Sequence, residues 1–155
     1  TIHSSRTGFA GRLNSGVRRF GNLMERPLID PGWPNALRWF LAQGLTNFTP
    51  WHFIREPDEM AFAANAFRRE DVSRSEVFVF ASRQDCDDFA GLELVGGRIT
   101  DKVVYFHPVF GDSSKPSPRT WNIVTATYGD VFEFVAQCVV PDMRDWALTE
   151  DAADL

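Results

Sequence analysis

The sequence predicts an α+β domain in which a mostly antiparallel sheet carries helices packed on one face. Two stretches with helical spacing of apolar residues come first, and closely spaced segments rich in β-branched and aromatic residues follow them. A further helical stretch comes near the end of the sequence. This order of helices, meander and terminal helix is typical of an α+β layer arrangement. The 155 residues suit one domain with a substantial core.

Two helices are predicted in the first half of the chain. The first begins at Pro34, because proline loses nothing in a first helical turn, and Gly44 can end it. The second runs from about Asp58 to Arg69, where apolar residues form a stripe near helical spacing. The stretch 45–54 between them is rich in aromatic residues, and we expect it to be a packed connection.

Four strands are predicted after the second helix. Val77–Ala81 and Phe89–Leu94 are joined by the polar loop Ser82–Asp88. A third strand region covers Ile99–Phe106, and a short fourth strand covers Trp121–Ala126. The sequence therefore predicts a meander with one conspicuously polar hairpin loop.

The last part of the chain is predicted to contain a loop and a long helix. Residues 112–120 combine serine, lysine and two prolines, which is typical of a flexible loop. The closing helix is predicted over Asp130–Trp146, and Pro141 should end or kink it near Val140.

The distribution of charge divides the chain into three predicted parts: a basic flexible arm or linker (1–33), the domain (34–146) and an acidic tail (147–155). Residues 1–26 hold five arginines and one glutamate, and a short amphipathic helix could form around 11–20. Because the whole chain carries −5, the remainder carries about −9. Such a balance argues against a general nucleic-acid binder, which must neutralise phosphates.

Composition and motifs also limit the expected cellular compartment and the types of catalytic site. Cys86 and Cys138 form neither a disulfide framework nor a metal-ligand spacing, so reduced thiols in the cytoplasm are expected. No apolar run approaches the roughly 20 residues that span a bilayer. No nucleophile-elbow or phosphate-binding glycine motif is present, and no cofactor is predicted.

The polar loop is the main candidate for function. Asp85, Asp87 and Asp88 could hold a divalent cation, act as an acid/base site, recognise a basic partner, or simply keep a hairpin tip hydrated. The spacing of a calcium-binding EF-hand loop is absent. His107 could serve as a general base with a carboxylate such as Asp101 or Glu93, although a histidine at a strand end is more often structural.

Trp51 and the loop residue Cys86 also bear on whether the chain binds a partner or catalyses a reaction. Trp51 belongs to an aromatic cluster that is expected to fill the core, but tryptophan is also favoured at binding hot spots. Cys86 is flanked by Asp85 and Asp87, which disfavours its thiolate and argues against a nucleophile.

Four motifs together resemble the SUKH superfamily, the group around fungal cell-wall assembly regulators of the Smi/Knr type. They are FASRQDCDDFAGLEL, the Gly-Gly turn that follows it, KVVYFHP and DVFEFVAQCVVPDM. The resemblance covers about residues 34–146 and implies a SUKH-like fold. It also implies a binding role, since bacterial members act as immunity proteins that neutralise toxins, and it supplies no catalytic residues.

The sequence thus predicts a non-enzymatic module that binds a cognate protein, such as a basic toxin or nuclease, or acts as a regulatory scaffold. The predicted contact residues are Arg83, Gln84, Asp85, Asp87, Asp88 and Trp51. No metal, nucleic acid or membrane is expected as a ligand, and the oligomeric state stays open. The alternative is a small metal- or acid/base-dependent hydrolase that uses the three loop aspartates and His107.

Overall fold

The computed structural model describes residues 29–111 and 121–155. The predicted helix around 11–20 and the predicted loop at 112–120 lie outside these ranges, as does most of the predicted arm. The described residues form an α+β fold, so the predicted fold class is confirmed. None of their helices is long and apolar enough to cross a membrane.

The two predicted helices are present, and their ends follow from local sequence. Helix α1 spans Asn35–Ala42, and Gly44 after it adopts a φ of 70°, a left-handed conformation that suits glycine. Helix α2 spans Pro57–Glu70. It has acidic side chains in its first turn and arginines in its last, which complements the helix dipole at both ends.

Within the described ranges, six strands form one sheet in sequence order, each antiparallel to its neighbour. They are β1 (Asn47–Phe48), β2 (Trp51–Phe53), β3 (Glu76–Arg83), β4 (Phe89–Val95), β5 (Arg98–Phe106) and β6 (Val124–Tyr128). The stretch 45–54, predicted as a packed connection, contains the hairpin of β1 and β2. These strands are two and three residues long, too short to show the alternation that identifies a strand.

Strand β6 begins three residues later than predicted, because residues 121–123 hydrogen-bond to residues 71–72, directly after α2. The buried carboxylate of Asp71 accepts a hydrogen bond from the N–H of Ile123 at 3.1 Å. The N–H of Val72 donates to the carbonyl of Trp121 at 2.8 Å. Trp121 and Ile123 are therefore bound to residues 71–72 directly after α2, and the carbonyl of Ile123 also accepts from the N–H of His107, directly after β5, at 3.0 Å.

The helices divide between the two faces of the sheet, which corrects the expectation that they share one face. Val103 of β5 joins the core beneath α1 and the closing helix, whereas Val104 and Phe106 join the core beneath α2. The physical reason is visible in β5, whose apolar run 103–106 does not alternate with polar residues. Such continuous runs are typical of strands buried on both faces.

The closing helix continues past Pro141 to Ala147, close to the predicted range Asp130–Trp146, and the irregularity before Pro141 is a π-helical segment rather than an end of the helix. It consists of α3 (Val131–Phe134), a π-helical segment (Val135–Val139) and α4 (Val140–Ala147). In the π-helical segment the N–H of Val140 donates to the carbonyl of Val135, five residues back. This wider turn comes directly before the proline, which has no N–H to contribute, and lets the helical path continue.

Candidate functional site

The polar loop is a closed hairpin connection whose backbone is fixed at both ends. The N–H of Arg83 donates to the carbonyl of Asp88 at 2.9 Å, where the loop meets β4. The N–H of Gln84 donates to the carbonyl of Pro50 at 2.9 Å, which ties the loop to the turn between β1 and β2. The side chains of this loop are therefore presented from a defined backbone.

Asp85 is engaged by Arg83 within the loop. The guanidinium donates from Nε and Nη2 to the two carboxylate oxygens of Asp85 at 2.9 and 2.8 Å, and Nη1 lies 3.3 Å from Asp142 Oδ2. Partial burial disfavours the charged form, but the hydrogen bonds to Asp85 and the charge of Asp142 outweigh it and raise the pKa of Arg83. Arg83 is a permanently charged bridge between the loop and α4.

Trp51 does not belong to the contact surface, which corrects its prediction as a partner-binding residue. Its side chain is fully buried, and its indole Nε1–H donates to Asp142 Oδ2 at 2.8 Å. Asp142 Oδ2 therefore accepts hydrogen bonds from both Trp51 and Arg83. A buried indole needs a hydrogen-bond acceptor, and Asp142 supplies one that also positions the loop arginine.

Asp88 points away from the other loop carboxylates, toward β5. Its Oδ2 accepts from the hydroxyl of Tyr105 at 2.6 Å, and its Oδ1 lies 2.7 Å from His107 Nδ1. Partial burial alone would raise the pKa of Asp88, but the hydrogen bonds from Tyr105 and His107 outweigh it and lower that pKa. His107 thus pairs with Asp88. Glu93, one of the two carboxylates that the sequence suggested as its partner, instead pairs with Lys102, with Oε2 and Nζ 2.8 Å apart.

The remaining polar side chains of the loop face outward or toward β2. Asp87 is exposed and has no side-chain hydrogen bond or ion pair with any residue in 29–111 or 121–155. Gln84 Oε1 lies 2.5 Å from Nε2 of the buried His52. Across the described ranges, no three histidine, cysteine, aspartate or glutamate side chains converge as metal ligands would.

Both thiols are held in their protonated form. Partial burial, then the neighbouring Asp88, raise the pKa of Cys86 to about 11. Burial, then the charge of Asp142, raise the pKa of Cys138 to about 12. Neither cysteine is an activated nucleophile at neutral pH.

The loop forms one wall of a larger surface feature, which we call the acidic cleft. It consists of two adjoining depressions of about 520 and 710 Å³ that share His52, Arg55 and Gln84. Four carboxylates line the first and three line the second: Glu56, Glu59, Asp85 and Asp87, then Glu150, Asp151 and Asp154. Among the residues that the structure describes, Arg55 and Arg83 are the arginines that line it, so negative charge predominates in this part of the chain.

The glutamates of α2 and the carboxylates of the tail were missed as site residues by reasoning from sequence. A signal existed for each, because α2 opens with acidic side chains and the tail is acidic. The sequence does not show that the carboxylates near α2 and those of the tail line the same cleft. They do so because His52, in the β1–β2 hairpin, lines both depressions.

No protein-family model, curated protein sequence or solved structure matches this chain.

Proposed function

We propose that this chain is a non-enzymatic protein-binding module whose acidic cleft binds a basic partner protein. The observation that carries the proposal is the convergence, within residues 29–111 and 121–155, of seven carboxylates on one cleft that two arginines line. Complementary charge of this kind raises the association rate with a basic protein and discriminates against acidic ones. An immunity protein of the SUKH type, neutralising a basic toxin or nuclease, is the specific form we propose.

The state of the loop side chains supports binding over catalysis. Asp85 and Asp88 are already engaged by Arg83, Tyr105 and His107, whereas Asp87 is left exposed at the cleft. Both cysteines are free thiols, and we propose a reducing compartment, the cytoplasm, as the site of action.

The test uses the proteins encoded next to this chain's own gene as candidate partners. We expect one basic protein among them to bind, with an association rate that falls as salt rises. Asp87→Lys should slow association about tenfold at low salt, because it reverses charge at the cleft. Asp101→Lys makes the same change at an exposed position on β5 outside the cleft, and should have little effect.

Two results would overturn the proposal. One is the absence of binding by every basic neighbour. The other is binding that responds equally to Asp87→Lys and Asp101→Lys, since the cleft would then have no special part in it.

One observation favours the alternative of an acid/base hydrolase. The Asp88–His107 pair has the geometry in which a carboxylate orients an imidazole, and the imidazole is exposed. His107 is not, however, among the residues that line the acidic cleft. Hydrolysis of ester or phosphoester probes that disappears in His107→Gln and survives in Asp87→Asn would favour this alternative.

A further inference from the structure

An apolar groove lies between α2 and the first half of β3. It has a volume of about 320 Å³, and every residue that lines it is apolar. Trp33 bounds it on one side and packs against Phe78, with ring centroids 5.3 Å apart. Ala61 and Ala64 form its α2 wall, where their small side chains leave the space open.

The groove exists because β2 leaves β3 early. Strand β2 pairs with β3 only over Ala81–Arg83, and the chain then turns away at Ile54, whose φ is 49°. A β-branched residue in the left-handed region is uncommon and marks a sharp change of direction. Within the described ranges, Val77–Val79 consequently have no strand neighbour on that side.

We propose that this groove is the docking site of the chain's own residues 1–26. The segment joins the domain through residues 27–33, and Trp33 at the end of that connection already lines the groove. Such a short tether gives the segment a high effective concentration at the groove, so a weak intrinsic affinity suffices.

The apolar pattern of the segment fits the groove. Phe9, Leu13, Val17 and Phe20 are spaced by four, four and three residues. This spacing places apolar side chains on one side of a helix, which is the pattern that hydrophobic grooves recognise. The groove and the apolar residues of the segment would thus form the two sides of one interface.

Charge complementarity points to the same occupant. The segment carries five arginines and a single glutamate, whereas the start of α2 beside the groove presents Glu56 at the N-cap and Asp58 and Glu59 in the first turn. Opposite charges at the rim would orient the segment while its apolar side chains fill the groove. This docking requires no other protein, although Glu56 and Glu59 also line the acidic cleft.

The experiment compares trypsin cleavage of the full chain with cleavage of a synthetic peptide of residues 1–26. Initial rates at Arg12 and Arg18 are followed by mass spectrometry. We expect cleavage in the full chain to be about tenfold slower, which corresponds to a segment undocked roughly one-tenth of the time. Leu13→Asp should restore the rate of a peptide that carries the same substitution, whereas the control Ser15→Asp should stay slower than its own peptide.

A second pair of variants tests the groove itself. Ala64→Asp places a charge in the groove and should restore fast cleavage, although an added negative charge alone would attract the arginines. Asn65→Asp makes the same charge change at an exposed position of α2 that does not line the groove and should preserve protection.

Three results would overturn the proposal. The first is cleavage of the unaltered chain at the peptide's rate. The second is protection that Ala64→Asp leaves unchanged, which would place the segment elsewhere. The third is protection that grows with protein concentration, which would assign the groove to the segment of a second copy.

Discussion

Replacing Asp142 by alanine should destabilise the domain through a residue that is not itself in the core. Asp142 Oδ2 is the acceptor for the indole N–H of Trp51, whose side chain has 0% exposure. Asp142→Ala leaves that donor buried without a partner, at a cost of about 1–3 kcal/mol. The lost ion pair with Arg83 adds little, because both side chains remain partly exposed and Arg83 keeps Asp85.

The expected loss of about 2 kcal/mol in the free energy of unfolding corresponds to a fall in Tm of roughly 4–8 °C for a chain of this length. Urea denaturation followed by tryptophan fluorescence measures the free energy directly. Asp142→Asn keeps an oxygen that can accept from Trp51, so we expect it to lose less than about 1 kcal/mol.

Asp145→Ala is the matched control, because Asp145 is exposed on the same helix. Its effect should stay within about 0.5 kcal/mol. If Asp142→Ala were no more destabilising than Asp145→Ala, the hydrogen bond to Trp51 would not have the structural role assigned to it here.

Three further outcomes are expected. Because the pKa of Asp88 is lowered in the folded protein, its contribution to stability is fully present above the ordinary carboxyl pKa of about 3.8 and is lost as the pH falls through the folded-state pKa. Asp88→Asn should therefore reduce the loss of stability at acid pH, measured as the urea midpoint against pH. Alkylation of Cys86 should be slow at neutral pH and accelerate toward its pKa of about 11, as iodoacetamide rates against pH would show. Gly91→Ala places a Cβ 2.9 Å from Val77 Cβ and should cost about 1–3 kcal/mol in urea denaturation.

The sequence contained enough to predict the long elements, because their signals are local. Pro57 and the acidic residues after it mark the start of α2, and the β-branched and aromatic run of β3 marks a strand. The β1–β2 hairpin was missed because its strands are too short to show a period. The sequence left open whether Pro141 ends or kinks the closing helix, because a π-helical turn has no distinctive residue pattern.

The different hydrogen-bond partners of the three loop aspartates could not be predicted either, and the reason is another one. Asp85, Asp87 and Asp88 are equivalent in sequence, and only their tertiary partners distinguish them. Asp85 binds Arg83, Asp88 binds Tyr105 and His107, and Asp87 lies at the cleft. The misassignment of Trp51 has the same origin, since an indole N–H that reaches a carboxylate 91 residues away leaves no local signal.

These partners also determine how the loop can act on another molecule. Arg83 lies between Asp85 and Asp142, so one guanidinium is shared by two carboxylates and the cluster keeps net negative charge. Because Asp142 is itself held by the buried Trp51, the arginine cannot swing out to neutralise Asp87 without breaking several hydrogen bonds. The negative charge at the cleft is therefore preorganised by the core, and a basic partner would meet it without first reordering the loop.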